Sequence, residues 1–187
     1  MGIATVIPQD TFSGLQLDAG VLLTTFTPTT PTISDSSIIC ATTGGITINC
    51  KPTYSDLGED VDNCPNNMKE FKHLDGWDCT IQTTCLGTSL NNLKLALGAA
   101  DITAASSLVK PRKDLAQTDF QDVWRVGDRA DGGLVAVKLI NALSTDGFSL
   151  KTTKNGKGQL SITLTGHVSL SAQTVMPMEF YSLEPAA

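Results

Sequence analysis

Four carboxylates fall within seven positions of "YSDLGEDVDNCPNN", residues 54–67: Asp56, Glu59, Asp60 and Asp62. Acids grouped this closely can ligate a cation, share a proton in acid/base chemistry, or present a negative surface to another molecule. A calcium loop of the EF-hand kind needs oxygen ligands at alternate positions and a glycine at the sixth for its sharp turn. Counted from Asp60, the fifth place is Cys64 and the sixth Pro65; counted from Asp56, the third is Gly58 and the sixth Val61. Neither register fits. The reading taken is a solvated loop whose acids touch a partner, with an irregular cation site as the lesser alternative.

Other chemistry is thinly supplied. The two histidines stand apart, His73 near the acidic stretch and His167 on the polar side of a strand pattern between Thr165 and Ser169, with no nucleophile–base–orienter set around either. Lys151, Lys154 and Lys157 surround "KNGKG", but the P-loop spacing is absent, and "DRADGG" at 128–133 leads into a strand rather than a helix, so both read as turns. Cys40, Cys50, Cys64, Cys79 and Cys85 are odd in number and contain no C-x-x-C pair. They are therefore expected to be small buried hydrophobes rather than a disulfide framework or a zinc ribbon. No catalytic residues, cofactor or metal are expected, and the chain does not read as an enzyme.

Charge narrows the partners. The net charge is −6, and residues 54–79 alone hold seven acids against two lysines. Such a surface repels phosphate backbones within a screening length of about 8 Å, which argues against sequence-reading DNA binding. The N-terminal "MGIATVIPQD" lacks a basic, apolar leader pattern and no apolar run reaches the ~18 residues of a spanning helix, so a cytosolic origin and no membrane are expected.

The elements that must position these residues are mostly strands. At 187 residues the chain predicts one domain, 1–187, with an N-terminal arm at about 1–18 and a long acidic inter-strand loop at about 55–74. Period-two alternation is clearest in "LSITLTGHVSL", where Leu160, Ile162, Leu164, Gly166, Val168 and Leu170 share one face and Ser161, Thr163, Thr165, His167 and Ser169 the other. Asn155 and Gly156 upstream are the pair that most readily takes the positive φ of a tight turn, so 147–154 should pair with 158–170. Further strands are predicted at 20–26, 44–54, 75–87, 120–128, 132–142 and 176–183. Within 75–87, Trp77, Cys79, Ile81 and Cys85 point to one side. The stretch at 132–142 is apolar on both faces apart from Lys138 and has to be covered twice. One helix is legible, "SLNNLKLALGAAD", with Ser89 as N-cap, Leu90, Leu93 and Leu97 as its apolar stripe and Gly98 at its end. Residues 27–37 are Pro/Thr-rich, and 55–74 and 99–119 show no clear period. One short helix among seven or eight strands makes the fold class mainly β, antiparallel, with long loops.

"VIPQDTFSGLQLDAGVLLTTF", "GWDCTI", "NLKLALGAAD", the long block "DVWRVGDRADGGLVAVKLINALSTDGFSLKTTKNGKGQLSITLTGHVSL" and "MPMEFY" resemble the major tail tube proteins of long-tailed, siphophage-like bacteriophages and related prophages. The resemblance runs over nearly the whole chain and is most specific in the C-terminal block. It implies two packed antiparallel β-sheets, sandwich- or barrel-like, with one flanking helix, in a structural virion protein that assembles in the host bacterial cytoplasm as hexameric rings stacked into a tail tube. The implied partners are copies of itself, the tape measure, tail terminator and distal tail proteins, and double-stranded DNA passing without sequence-specific binding. It also implies that the acids at 56–62 lie in a loop reaching a neighbouring subunit or ring, and that Ser161, Thr163, Thr165 and His167 face the bore. The rival readings are a carbohydrate-binding or adhesion β-sandwich of a virion, drawing on Trp77, Trp124, Tyr54 and Tyr181, and a cation-dependent hydrolase using the acidic loop.

Overall fold

The computed structural model describes residues 7, 8 and 10–185, so the expected N-terminal arm falls partly outside the described residues. Strands β1 (Val21–Leu23), β2 (Thr42–Asp56) and β3 (Lys72–Cys85) precede the helix α1 (Leu90–Leu97). A small hairpin of β4 (Ala100–Thr103) and β5 (Leu108–Pro111) follows, then β6 (Gln121–Asp128), β7 (Leu134–Ser144), β8 (Ser149–Lys151), β9 (Gln159–Thr165) and β10 (Met178–Leu183). All pairings are antiparallel. Eight strands form one continuous sheet in the order β1-β6-β7-β9-β3-β2, with β10 on β7 and β8 on β9, while β4 and β5 make a separate two-stranded sheet.

The eight-stranded sheet folds over itself at β7. From Leu134 to Leu139 this strand pairs with β6 on one side and β10 on the other; its last residues, Leu143 and Ser144, pair instead with β9. The change of neighbour occurs at Asn141, which sits at φ 48° and is pinned through its N–H on Asp122 (3.1 Å) and its side-chain amide on the His167 carbonyl (3.0 Å). Strands that pass between layers at a bend are a usual corner of β-sandwiches. Leu22, Val123, Val137, Leu139 and Met178 from one layer meet Cys79, Ile81, Leu160, Ile162 and Leu164 from the other in the main core. Each fully buried aliphatic side chain contributes about 1.5–3 kcal/mol. A second cluster, Leu23, Phe26, Trp124, Val126 and Ala136, covers the other face of β6 and β7, which answers the two-sided apolar pattern of 132–142.

The helix is capped as expected: Ser89 Oγ accepts from the Asn92 N–H at 3.2 Å, and Gly98 ends it at φ 71°. Its inward face differs. Asn92 and Ala96 are the buried positions, whereas Leu90, Leu93 and Leu97 are half-buried. Ala96 lets the helix backbone approach closely enough for its carbonyl to accept from Ser144 Oγ at 2.8 Å, and Asn92 donates to the Gly87 carbonyl at 3.2 Å. One polar bond to β7 and one to the Gly87 turn, rather than the leucine stripe, mark its inward side.

Four further expectations need correction. Cys40 and Cys85 form a disulfide, with Cα atoms 5.8 Å apart; their spacing of 45 residues hides a contact that exists only because β3 returns beside the start of β2. Residues 99–119 contain the β4–β5 hairpin, held by Arg112 reaching both Asp101 and the buried carboxylate of Asp119, so polar contacts replace an apolar period. The strand expected to reach residue 170 stops at Thr165: Leu160, Ile162 and Leu164 are buried, but Val168 is 49% and Leu170 88% exposed. In the β8–β9 turn only Asn155 takes a positive φ, 62°; Gly156 does not, and its missing side chain instead leaves room for the Thr153 hydroxyl.

One buried cation is absent from the sequence reading. Arg125 is 4% exposed, donates through Nε and Nη2 to the Ala19 carbonyl (3.2 and 2.8 Å), and burial lowers its pKa. A Cβ on Gly127 would stand 2.6 Å from its guanidinium, so that glycine makes the space.

Candidate assembly surface

The β2–β3 hairpin outgrows the sheet that carries it. Pairing of β3 with β9 covers only Thr80–Cys85, while β2 and β3 stay paired out to Asp56 and Lys72. Beyond Cys50 and Cys79 the two strands have, among the described residues, only each other as strand partners, making an arm about 20 Å long at the usual rise per residue. The predicted loop at 55–74 is thus partly strand, and the true connection is 57–71.

Directly opposed residues of an antiparallel pair share a face. On one face the pairs run Ile48/Ile81, Cys50/Cys79, Pro52/Trp77 and Tyr54/Leu74; a one-residue irregularity at Asp75 precedes the last pair. This is the core face of the sheet, continued outward after the core has ended. Ile81 is buried, but Trp77 is 37%, Leu74 43% and Tyr54 58% exposed. The expected placement of Trp77 on the apolar face holds, although nothing among the described residues covers it there. The other face carries Lys51/Asp78, Thr53/Gly76 and Ser55/His73, with Ser55 Oγ donating to Asp75 at 2.9 Å. Leu57 and Val61 add exposed apolar surface at the tip.

The four acids separate into two roles. Asp56 organises the loop base: its carboxylate accepts from the Gly58 N–H (3.1 Å), the Asn67 N–H (3.3 Å) and Lys72 Nζ (3.2 Å). Those donors, the Gly58 amide first and Lys72 next, hold its carboxyl below the usual range. Gly58 in turn is buried, because a Cβ there would meet Cys64 Sγ at 2.9 Å and the Phe71 ring at 3.1 Å. Glu59, Asp60 and Asp62 are exposed at the tip, and no ion pair engages them among the described residues. No group of three or more His, Cys, Asp or Glu residues arranged to hold a metal occurs among the described residues.

The outer face of the β2-β3-β9 layer is polar, and it is uncharged where the three strands pair; the next rung outward carries Lys51 opposite Asp78. Rows across it read Thr47, Gln82, Thr163 and Asn49, Thr80, Thr165, with Thr84 beside Ser161 and Ser149. Ser161, Thr163 and Thr165 therefore belong to one wall, and Thr165 shares a hydroxyl–hydroxyl bond of 2.9 Å with Thr145. His167 lies past the end of β9, its Nδ1 3.1 Å from the Asn141 carbonyl oxygen and its ring edge-on to Phe120, apart from that row. Lys151, Lys154 and Lys157 are all exposed around the β8–β9 turn, well separated in sequence from the acidic tip.

No family model matches the chain, and no curated protein matches it. Among solved structures, a chain of the virion of a native gene transfer agent particle overlays on 87% of this chain and 95% of its own length, with a TM-score of 0.41 and 8% identity. An overlay that loose sets no residue of this chain against a known role.

Sequence reasoning located the acids and the β3 half of the apolar ladder, Trp77, Cys79 and Ile81, but missed the β2 half and the exposure of both. The signal was present: Ile48, Cys50, Pro52 and Tyr54 alternate without a break, as do Ile81, Cys79 and Trp77. What alternation alone does not show is that the covering layer ends near Cys79.

The β2 edge completes the surface. This strand, 15 residues long, ends the strand order, so one of its sides carries backbone N–H and C=O groups without a β partner among the described residues. Pro52 within it has no N–H to offer, a substitution tolerated on an edge strand.

Proposed function

We propose that this chain is a structural virion protein, a phage tail tube subunit that polymerises into stacked hexameric rings around a bore conducting double-stranded DNA. It acts without catalysis or cofactor. The observation that carries the reading is the uncovered apolar face of the arm, Pro52/Trp77 and Tyr54/Leu74, beside an open strand edge. Open edges and uncovered apolar faces favour addition of another chain, and a head-to-tail contact between identical copies closes into a ring when the rotation allows. The uncharged wall of Thr47, Gln82, Thr163, Asn49, Thr80 and Thr165 supports a bore-facing role. DNA carries one charge per ~1.7 Å of axis, so a wall of lysines would hold it at many points, whereas hydroxyls and amides let it slide. Tape measure, terminator and distal tail proteins are the further partners of such a tube.

Tyr54 and Trp77, exposed on one face of the arm, favour a second reading as a carbohydrate-binding module, since aromatic faces stack on sugars. Electron microscopy of concentrated protein, with size-exclusion chromatography, decides between them. Rings or tubes with a central hole are expected. A monomer that forms neither, even with tail initiator proteins present, overturns the proposal; retention on an oligosaccharide matrix abolished by Trp77→Ala would replace it with the second reading.

A further inference from the structure

Four of the five cysteines belong to a single hairpin. The Cys40–Cys85 disulfide closes its base. Farther along, Cys50 and Cys79 are free thiols directly opposite one another across β2 and β3, with Sγ atoms 3.1 Å apart. Opposed Cα atoms in antiparallel strands lie about 4.5–5.5 Å apart, inside the ~4.4–6.8 Å range that disulfides span. Bonding therefore requires side-chain rotation and no movement of the backbone. The pair also stands at a particular place, the first rung beyond the Thr80–Thr165 pairing, where the Cys79 carbonyl still accepts from the Gly166 N–H (3.0 Å) and the arm begins.

We propose that Cys50 and Cys79 form a dithiol that closes into a second disulfide on exposure to a small oxidised disulfide such as oxidised glutathione, stapling the arm at its root. Cys50 is half-buried and Cys79 1% exposed, so Cys50 reacts first. Its thiolate attacks one glutathione sulfur, the glutathione disulfide bond breaks, and the first glutathione leaves as a thiolate that solvent protonates. Cys79 then gives its proton to solvent and attacks the Cys50 sulfur of the mixed disulfide, expelling the second glutathione. Two protein thiols are oxidised by two electrons and one glutathione disulfide is reduced to two thiols. Burial, followed by the neighbouring Cys50, pushes the Cys79 thiol up to about 12, so at neutral pH it waits as a thiol and the closing step is the slow one. Cys64 stands elsewhere, its Sγ against the Pro65 carbonyl oxygen (3.6 Å) and Met68 Sδ (3.8 Å) in the 57–71 loop.

The test uses the whole chain, incubated with oxidised glutathione, denatured without reductant, alkylated, digested and examined by mass spectrometry. Before oxidation three cysteines, Cys50, Cys64 and Cys79, take the alkylating agent. Afterwards only Cys64 is expected to take it, and a peptide linking Cys50 to Cys79 should be found, lighter by two hydrogens than its reduced parts. Cys64→Ser must keep that link, and Cys50→Ser must lose it. Three alkylated thiols after oxidation, a lasting glutathione adduct on Cys50, or a link from Cys50 to Cys64 would each overturn the proposal.

Discussion

Replacing both Tyr54 and Leu74 with threonine removes the outermost apolar pair of the arm while keeping residues that suit a strand. Tyr54 is 58% and Leu74 43% exposed, so about half of each side chain is still in water in the single chain. Full burial of a large apolar side chain is worth about 1.5–3 kcal/mol, and completing the missing half at a contact with another copy is therefore worth about 0.7–1.5 kcal/mol apiece. Losing both should raise the protein concentration needed for assembly roughly 10- to 150-fold. The monomer should hardly notice, since little packing is lost; its Tm should move by no more than a few degrees. Sedimentation across a concentration series reads the first quantity and calorimetry the second. Unchanged assembly together with a Tm lowered by more than about 10 °C, well beyond what a kcal/mol or two can do in a chain of this length, would mean that the ladder packs within the subunit and that the argument is wrong.

Loss of the Cys40–Cys85 link, as in Cys40→Ser, should cost about 4 kcal/mol on loop-closure grounds for its separation of 45 residues, read by calorimetry as a Tm lower by about 8–16 °C. Asp60→Lys, at the exposed tip, should weaken polymerisation in sedimentation more than it alters Tm; the reverse ranking would make the tip part of the fold. Asp56 has a folded pKa held below its unfolded value, so the order it gives the loop is present above that unfolded value and is lost as pH falls through the lower folded one. Protection of the Gly58 and Asn67 amides, read as their exchange rate relative to an unstructured amide at the same pH, should therefore hold near neutrality and fall only below about pH 4, the unfolded carboxylate range. In the β8–β9 turn Asn155→Val should cost about 1–2 kcal/mol in denaturant unfolding, because Asn155 holds the left-handed conformation, whereas Gly156→Ala should cost less, asking only that the Thr153 hydroxyl rotate.

Where side-chain alternation and burial coincide, the sequence suffices: Leu160, Ile162 and Leu164 face inward as their spacing demands, and Ser89 and Gly98 bound the helix they were expected to bound. It misleads where a pattern outlasts the layer that covers it. Val168 and Leu170 continue the alternation of β9 in letters after its hydrogen bonding has ceased, and Tyr54 and Trp77 continue the core face into solvent. Contacts between distant residues were not legible either, because Cys40 meets Cys85, and Arg125 meets Ala19, only through strand pairing that no local window contains. The acids at 56–62 were found by composition, yet composition treats all four alike. Separating Asp56, bound into the loop, from Glu59, Asp60 and Asp62 at the tip required the positions of the Gly58 and Asn67 amides.

Strand β7 serves both layers, hydrogen-bonded to β6 and β10 along most of its length and to β9 at its end. A pull that tries to slide one layer past the other therefore strains a continuous peptide backbone through Asn141, as well as the greasy contact between them. Mechanical shear has no clean slip plane here, and stretching the chain from its two layers should meet a stiff, abrupt yield rather than a gradual creep.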